Sequence, residues 1–235
     1  MSAGEILRCL ILGTAGVAAS NFFYYFAIAK SSVSIAIIVQ YTAPVWVLLY
    51  MVARRLQAAT VRRVLAVALA VVGIILAIGI FGETDVRANW MGVTAAFGAA
   101  FSFAFYNIFG AGLVRRHSRW QVLLYALLGS MIFWAFINPP WKIVAAHYSG
   151  QQWAFLIAFA FVATLLPFSF YLSGLKHLDP TRAVVTSCLE PVFTVMMAAL
   201  FVGESLSLIQ ILGMTLVIGA TVVIQLPERQ AAAAA

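Results

Sequence analysis

Residues 183–203 read Ala-Val-Val-Thr-Ser-Cys-Leu-Glu-Pro-Val-Phe-Thr-Val-Met-Met-Ala-Ala-Leu-Phe-Val-Gly, an apolar run with one formal charge, Glu190. A helix rising about 1.5 Å per residue needs about 20 such residues to cross the hydrocarbon core of a bilayer. This stretch is therefore long enough to span. Uncharged windows of similar or greater length occur at 9–29, 31–53, 64–82, 88–114, 120–141, 143–175 and 205–227, which makes eight predicted spans. Turn and interface residues separate them: Lys30-Ser31-Ser32, Arg54 to Arg63, Gly82 to Asn89, Arg115 to Arg119, Asn138 to Gln152, His177 to Arg182 and Gly203 to Ser207. Trp90, Trp120, Trp141 and Trp153 lie at predicted helix ends, where amphipathic rings favour the headgroup region.

Composition agrees. With 64% hydrophobic and 9% charged residues the chain cannot cover itself with a polar exterior, so lipid is its outer solvent. The net charge of +7 comes in short arginine clusters between apolar runs rather than in a stripe, which disfavours a nucleic-acid partner. Cys9 and Cys188 both fall inside apolar stretches and read as packing residues, not as a disulfide or zinc framework. The start carries Glu5 and Arg8 without the basic cluster of a signal peptide, so the first apolar run reads as an uncleaved span.

With the N-terminus in the cytoplasm, the inside segments hold eleven cations: Arg8, Arg54, Arg55, Arg62, Arg63, Arg115, Arg116, Arg119, Lys176, Arg182 and Arg229. The outside loops hold three, Lys30, Arg87 and Lys142. That asymmetry is what the positive-inside rule requires, and it puts both termini inside.

The chain also matches itself. Setting Phe22-Phe23-Tyr24-Tyr25 on Phe168-Ser169-Phe170-Tyr171 places Lys30 on Lys176. With an extra residue in the second turn, Pro44-Val45-Trp46 falls on Pro191-Val192-Phe193, and further on Val71-Val72-Gly73 falls on Val217-Ile218-Gly219. Predicted helices 1 to 3 thus match 6 to 8, and because the copies are an odd number of spans apart they enter the membrane from opposite sides. Inverted repeats of this kind mark many secondary transporters.

At this point a family resemblance emerges. Leu189-Glu190-Pro191-Val192-Phe193, followed by Gly203-Glu204-Ser205-Leu206 and by Gly213 and Gly219, resembles the second-half pattern of EamA-type transporters of the drug/metabolite transporter superfamily. Asn21 to Pro44 resembles the matching hairpin of their first half. The resemblance implies an all-α integral membrane protein built as an inverted repeat, with three helices present of the first five and five of the second. It divides the chain into 1–81, the last three helices of the first unit, 88–227, the second five-helix unit, and a cytoplasmic tail at 228–235. It also implies that the DNA upstream of Met1 continues in frame into two further apolar segments. The implied function is secondary transport of small organic metabolites, amino-acid-like or drug-like, as efflux by alternating access in the bacterial inner membrane; a truncated, non-transporting scaffold or subunit is the alternative. A small-molecule substrate and the lipid bilayer are the expected partners, a homodimer is left open, and no cofactor is expected.

Glu190 is the one formal charge well inside a predicted span, eight residues beyond Arg182 and fourteen before Glu204. An acidic group at that depth costs about 2.5–3.5 kcal/mol on insertion scales, so it usually faces the bundle interior and serves a pathway or a partner. It could couple proton movement to transport or hold a cationic, amine-bearing substrate; hydrogen-bonding a neighbouring helix is the bland alternative. Thr186, Ser187, Glu190 and Thr194 share a face by three- and four-residue spacing. Pro191 and Pro44 each remove a backbone donor, which makes both candidate hinges. Asn21, Tyr25, Gln40, Tyr41, Ser102, Tyr106 and Tyr171 are further polar positions, each explicable as an interhelical hydrogen bond. Gly73 and Gly219 are expected on close-packed helix surfaces. No Lys or Arg lies deep enough to clamp a phosphate, and the histidines His117, His147 and His177 fall in predicted loops without metal-ligand spacing.

Overall fold

The computed structural model describes residues 1–78, 89–203 and 205–227. The ends of the expected units at 79–81 and at 88, the 228–235 tail, Arg87, Glu204 and Arg229 lie outside the described residues. All regular structure among the described residues is helical. Among the described residues, seven helices are long and apolar enough to span a membrane: α1 (Ala3–Lys30), α2 (Val33–Ala53), α4 (Trp90–Val114), α5 (Arg119–Ile137), α7 (Gly150–His177), α8 (Pro180–Val202) and α9 (Leu208–Gln225). α3 (Val61–Ala77), with 17 residues, lies between α2 and α4, and the short α6 (Pro140–Ala145) follows α5. The molecule is an all-α multi-pass membrane protein.

Local chemistry sets where the spans begin. Ser2, Ser149 and Ser207 form capping boxes with Glu5, Gln152 and Gln210, and Ser32, Thr60, Asn89 and Asp179 cap α2, α3, α4 and α8 through their side chains. Each such cap is worth about 1 kcal/mol by satisfying an otherwise open backbone N–H. The expected 143–175 span starts later than its first uncharged residue. Pro139, Pro140 and the positive φ of His147 break the chain after α5, and helix resumes only at the Ser149 cap. His177 closes α7 rather than lying in a loop. At the far end of α8, Gly203 takes a left-handed conformation that ends the helix.

Two apolar clusters hold the bundle. One joins α1, α4, α5 and the last turns of α7 around Leu12, Val114, Val122 and Leu172. The other joins α2, α3, α8 and α9 around Ile74, Val185, Val192 and Val217. Cys9 lies in the first and Cys188 in the second, both buried and unpaired, as packing residues. α3 and α9 run against each other, and a methyl group added at Gly213 would strike the Ala77 backbone nitrogen. Gly73 faces this seam, but Gly219 does not: nothing lies within 4 Å of where its Cβ would stand. The expectation for Gly219 is therefore corrected. The seam follows the helical spacing of Gly213, Val217 and Ala220, and Gly219 is off that line.

Departures from α geometry in three helices matter for the site, and a fourth helix shows one of the same kind. α2 breaks between Val33–Gln40 and Ala43–Ala53, at Tyr41-Thr42, and α8 breaks between Pro180–Ser187 and Leu189–Met197, at Cys188. Cys188 is the position that the alignment of Pro44 with Pro191 sets opposite Tyr41. A proline cannot donate to the carbonyl four residues earlier, so each helix loosens one turn before its proline. The third departure is in α7, which widens to π geometry over Phe161–Leu165 just ahead of Pro167; α1 does the same over Leu12–Ala18. Wider turns re-seat backbone groups around a proline or a close helix contact.

Candidate functional site

The arginine clusters meet at one end of the bundle. Arg62 donates to the Leu226 carbonyl, Arg115 Nη2 to the Leu178 carbonyl at 3.3 Å, and Arg119 Nη1 to Ser173 Oγ at 2.6 Å. His117 Nε2 stands 3.1 Å from Glu5 Oε1. Segments that the sequence places on one side of the membrane are thus bound to one another in space. Lys30, over the Phe26 ring at 5.8 Å, belongs to the opposite end.

Glu190 lies ten residues past Pro180, about 15 Å along α8 by helical rise, in the middle of its span. The Tyr41 hydroxyl donates to Glu190 Oε2 at 2.9 Å. This one hydrogen bond ties the break of α2 to the first turn after the break of α8.

Beyond Tyr41, Glu190 is exposed, which differs from the expectation of an interior-facing group. The reason is geometric. Ala43–Ala53 of α2 packs along Pro180–Ser187 of α8, so the bundle is closed on the arginine-rich side of the breaks. On the other side the helices part: Gly150–Ala160 of α7 and Ala198–Val202 of α8 contain no buried residue. Glu190, in the first turn past the break, stands on that side.

Next to it is a buried polar and aromatic layer. Tyr171 donates to Asn107 Oδ1 at 2.5 Å, Asn107 donates to the Phe103 carbonyl at 2.9 Å, and Ser187 stands beside the same Tyr171 phenol. Tyr106 stacks on Tyr171 with ring centroids 5.9 Å apart and meets Phe168 edge-on. Tyr106 is buried, and its hydroxyl has no hydrogen-bond partner among the described residues. An orphaned buried hydroxyl costs about 1–3 kcal/mol, so Tyr106→Phe is expected to unfold at the same temperature as the parent or higher in detergent. A clear fall in unfolding temperature would show that the hydroxyl has a partner after all.

Of the sequence candidates, Glu190, Tyr41, Tyr171, Tyr106 and Ser187 come together. The others do not join them. Tyr25 is 58% exposed on the outer face of α1, while its neighbour Tyr24 is partly buried against the cluster that α1 forms with α2 and α4. Thr186 accepts from Gln225 Nε2 at 3.0 Å and so faces α9, because the break at Cys188 divides the polar stripe. Thr194 is exposed and donates to the Glu190 carbonyl one turn back. Asn21 and Gln40 are half-buried and make no side-chain hydrogen bond to the carboxylate. Asn107 was not anticipated. As the sole carboxamide in α4 it carries the signal that polar groups inside spans usually satisfy an interhelical partner.

Fold and site together define a multi-pass membrane protein in which two broken helices meet at one acidic group midway through the bilayer. The EamA-like transporter family model matches residues 2–79 and 90–226, and the chain belongs to that family. It is 23% identical over 234 residues to the uncharacterized inner membrane transporter YicL of Salmonella typhimurium, covering 98% of this chain and 77% of that one. An uncharacterized transporter of Archaeoglobus fulgidus is 25% identical over 215 residues, with 88% and 74% covered. The threonine/homoserine exporter RhtA of Escherichia coli K12 is 26% identical over 205 residues, which covers 86% of this chain and 65% of RhtA. One solved crystal structure superposes with a TM-score of 0.75 at 17% identity, covering 92% of this chain and 75% of that one, and so shares the fold.

Proposed function

We propose that this family member is a secondary transporter that exports small organic solutes, amino-acid-like or drug-like, by alternating access through the site at Glu190. The observation that carries the reading is the Tyr41–Glu190 hydrogen bond, which joins the two helix breaks in mid-membrane. In a bilayer an acidic group is tolerated where it serves a pathway, and a carboxylate beside a phenol suits an ammonium group. The family membership and the exporter among the relatives support the same reading. Pro44 and Pro191 act in it as repeat-related hinges, one within each of two inverted units, 1–81 and 88–227. The arginine-rich end, and with it both termini, faces the cytoplasm of a bacterial inner membrane, as the cation distribution supports.

The test is solute movement in vesicles holding the chain, against a panel of amino acids, amines and drug-like cations. Accumulation or release of at least one amine-bearing solute above empty vesicles is the expected result. The open face of α7, without a buried residue from Gly150 to Ala160, favours a second reading as a subunit or scaffold that seats another membrane helix. Movement of no solute would turn the assignment to that reading.

A further inference from the structure

Glu190 is open on one side of the helix breaks and shut on the other, and a specific set of polar contacts lies at the shut end. Asp179 caps α8 by accepting from the Arg182 N–H at 2.9 Å. Its other oxygen stands 3.2 Å from Arg182 Nε and 3.8 Å from Arg63 Nη2. Arg63 comes from the first turn of α3, donates to the Ala58 carbonyl at 3.0 Å, and keeps only 9% of its side chain exposed. Two residues past Asp179, the buried Thr181 hydroxyl donates to Gln57 Oε1 at 2.8 Å. Gln57 and Ala58 lie in the α2–α3 link, while Asp179 caps α8 and Thr181 lies in its first turn. The cluster therefore fastens the chain segment that follows α2 to the start of α8, at the mouth of the packed pair Ala43–Ala53 and Pro180–Ser187.

We propose that Asp179, Arg63 and Arg182, with the Thr181–Gln57 hydrogen bond, form the gate that closes the arginine-rich end, and that this gate parts when Glu190 is exposed to that side. The chemistry suits the task. Ion pairs and hydrogen bonds at the membrane surface are exchanged for water at small net cost when they separate, whereas the apolar clusters deeper in the bundle are costly to open. A two-state closure built of such contacts can be biased by a bound solute without unfolding either half. The proposal rests on the transporter reading for its role in transport, but closure itself can be measured without a known substrate.

The experiment uses sealed vesicles and a membrane-impermeant maleimide. The parent carries Cys9→Ser, Cys188→Ser and Ser187→Cys, which leaves one thiol beside Tyr171 below the break; Arg116→Cys in the same cysteine-free background reports which vesicles present the arginine-rich end. Asp179→Asn keeps the helix cap and removes the charge, since Asn caps as well as Asp. Arg63→Gln removes the other partner. Each is expected to raise the labelling rate at position 187 from the arginine-rich side roughly two- to fivefold, as befits the loss of an ion pair of small net worth. Thr181→Val should raise it less.

Unchanged labelling in both charge variants, with both eluting as the folded parent, overturns the gate. So does faster labelling in Asp179→Asn alone, which would assign the effect to the start of α8 and not to the pair. Faster labelling in both variants, with no solute moved by the wild-type chain, leaves the gate standing and removes the transporter reading. Solute movement with labelling unaltered by either variant removes the gate alone.

Discussion

Replacing Glu190 with glutamine is expected to slow movement of the best solute in the vesicle panel roughly ten- to hundredfold, the range set by losing a hydrogen bond to a charged group. Gln keeps the size of the side chain and its capacity to accept from the Tyr41 hydroxyl, so folding should be unaffected. What it removes is the formal charge at mid-span. Tyr41→Phe removes the donor at 2.9 Å and leaves the carboxylate, and a smaller loss is expected. The pair provides the sharper test. If the two residues act as one unit across the breaks of α2 and α8, the double variant should be little worse than Glu190→Gln alone, because contacting groups are not additive. Losses that simply multiply would separate Tyr41 from the site. Solute movement equal to the parent in Glu190→Gln would remove Glu190 from the pathway altogether.

The helical membrane architecture was legible because its signals are one-dimensional. Uncharged windows, arginine clusters and turn segments such as His177 to Arg182 lie along the chain, and no long-range contact is needed to see them. Glu190 was legible for the same reason: one charge in an apolar run stands out whatever surrounds it. The rest depends on rotation about helix axes. Tyr24 and Tyr25 are adjacent and chemically identical, so only the packing of α1 against α2 and α4 decides that Tyr24 is partly buried and Tyr25 exposed. Spacing put Thr186 on the face of Glu190, yet a turn is loosened between them at Cys188, and the rotation hands Thr186 to Gln225. Proline at 191 announced a break but not the direction in which the helix would turn. Gate residues were hidden in a similar way: Arg63 and Arg182 read as orientation charges, and only the fold shows both against Asp179.

The largest loss of stability is expected where α1 and α5 touch backbone to backbone. A methyl group at Gly13 would overlap the Ala126 carbonyl oxygen, and one at Gly129 would overlap that of Leu10. Without a hydrophobic force between helices in lipid, such close approach supplies the dispersion contacts that hold a pair together. Gly13→Leu must push the helices apart along this seam and strip contacts from Leu12, Val122 and Ala126, all buried in one cluster. Overpacking of this kind costs about 1–3 kcal/mol or more, and here the clash is with backbone, which cannot change rotamer to yield. Gly219→Ala is the matched control, because no atom lies within 4 Å of the new methyl group and alanine favours helix by about 1 kcal/mol over glycine. Unfolding in detergent should therefore show Gly13→Leu well below the parent and Gly219→Ala level with it or above. Equal midpoints for Gly13→Leu and the parent would mean that the α1–α5 seam is not a tight contact in the folded protein.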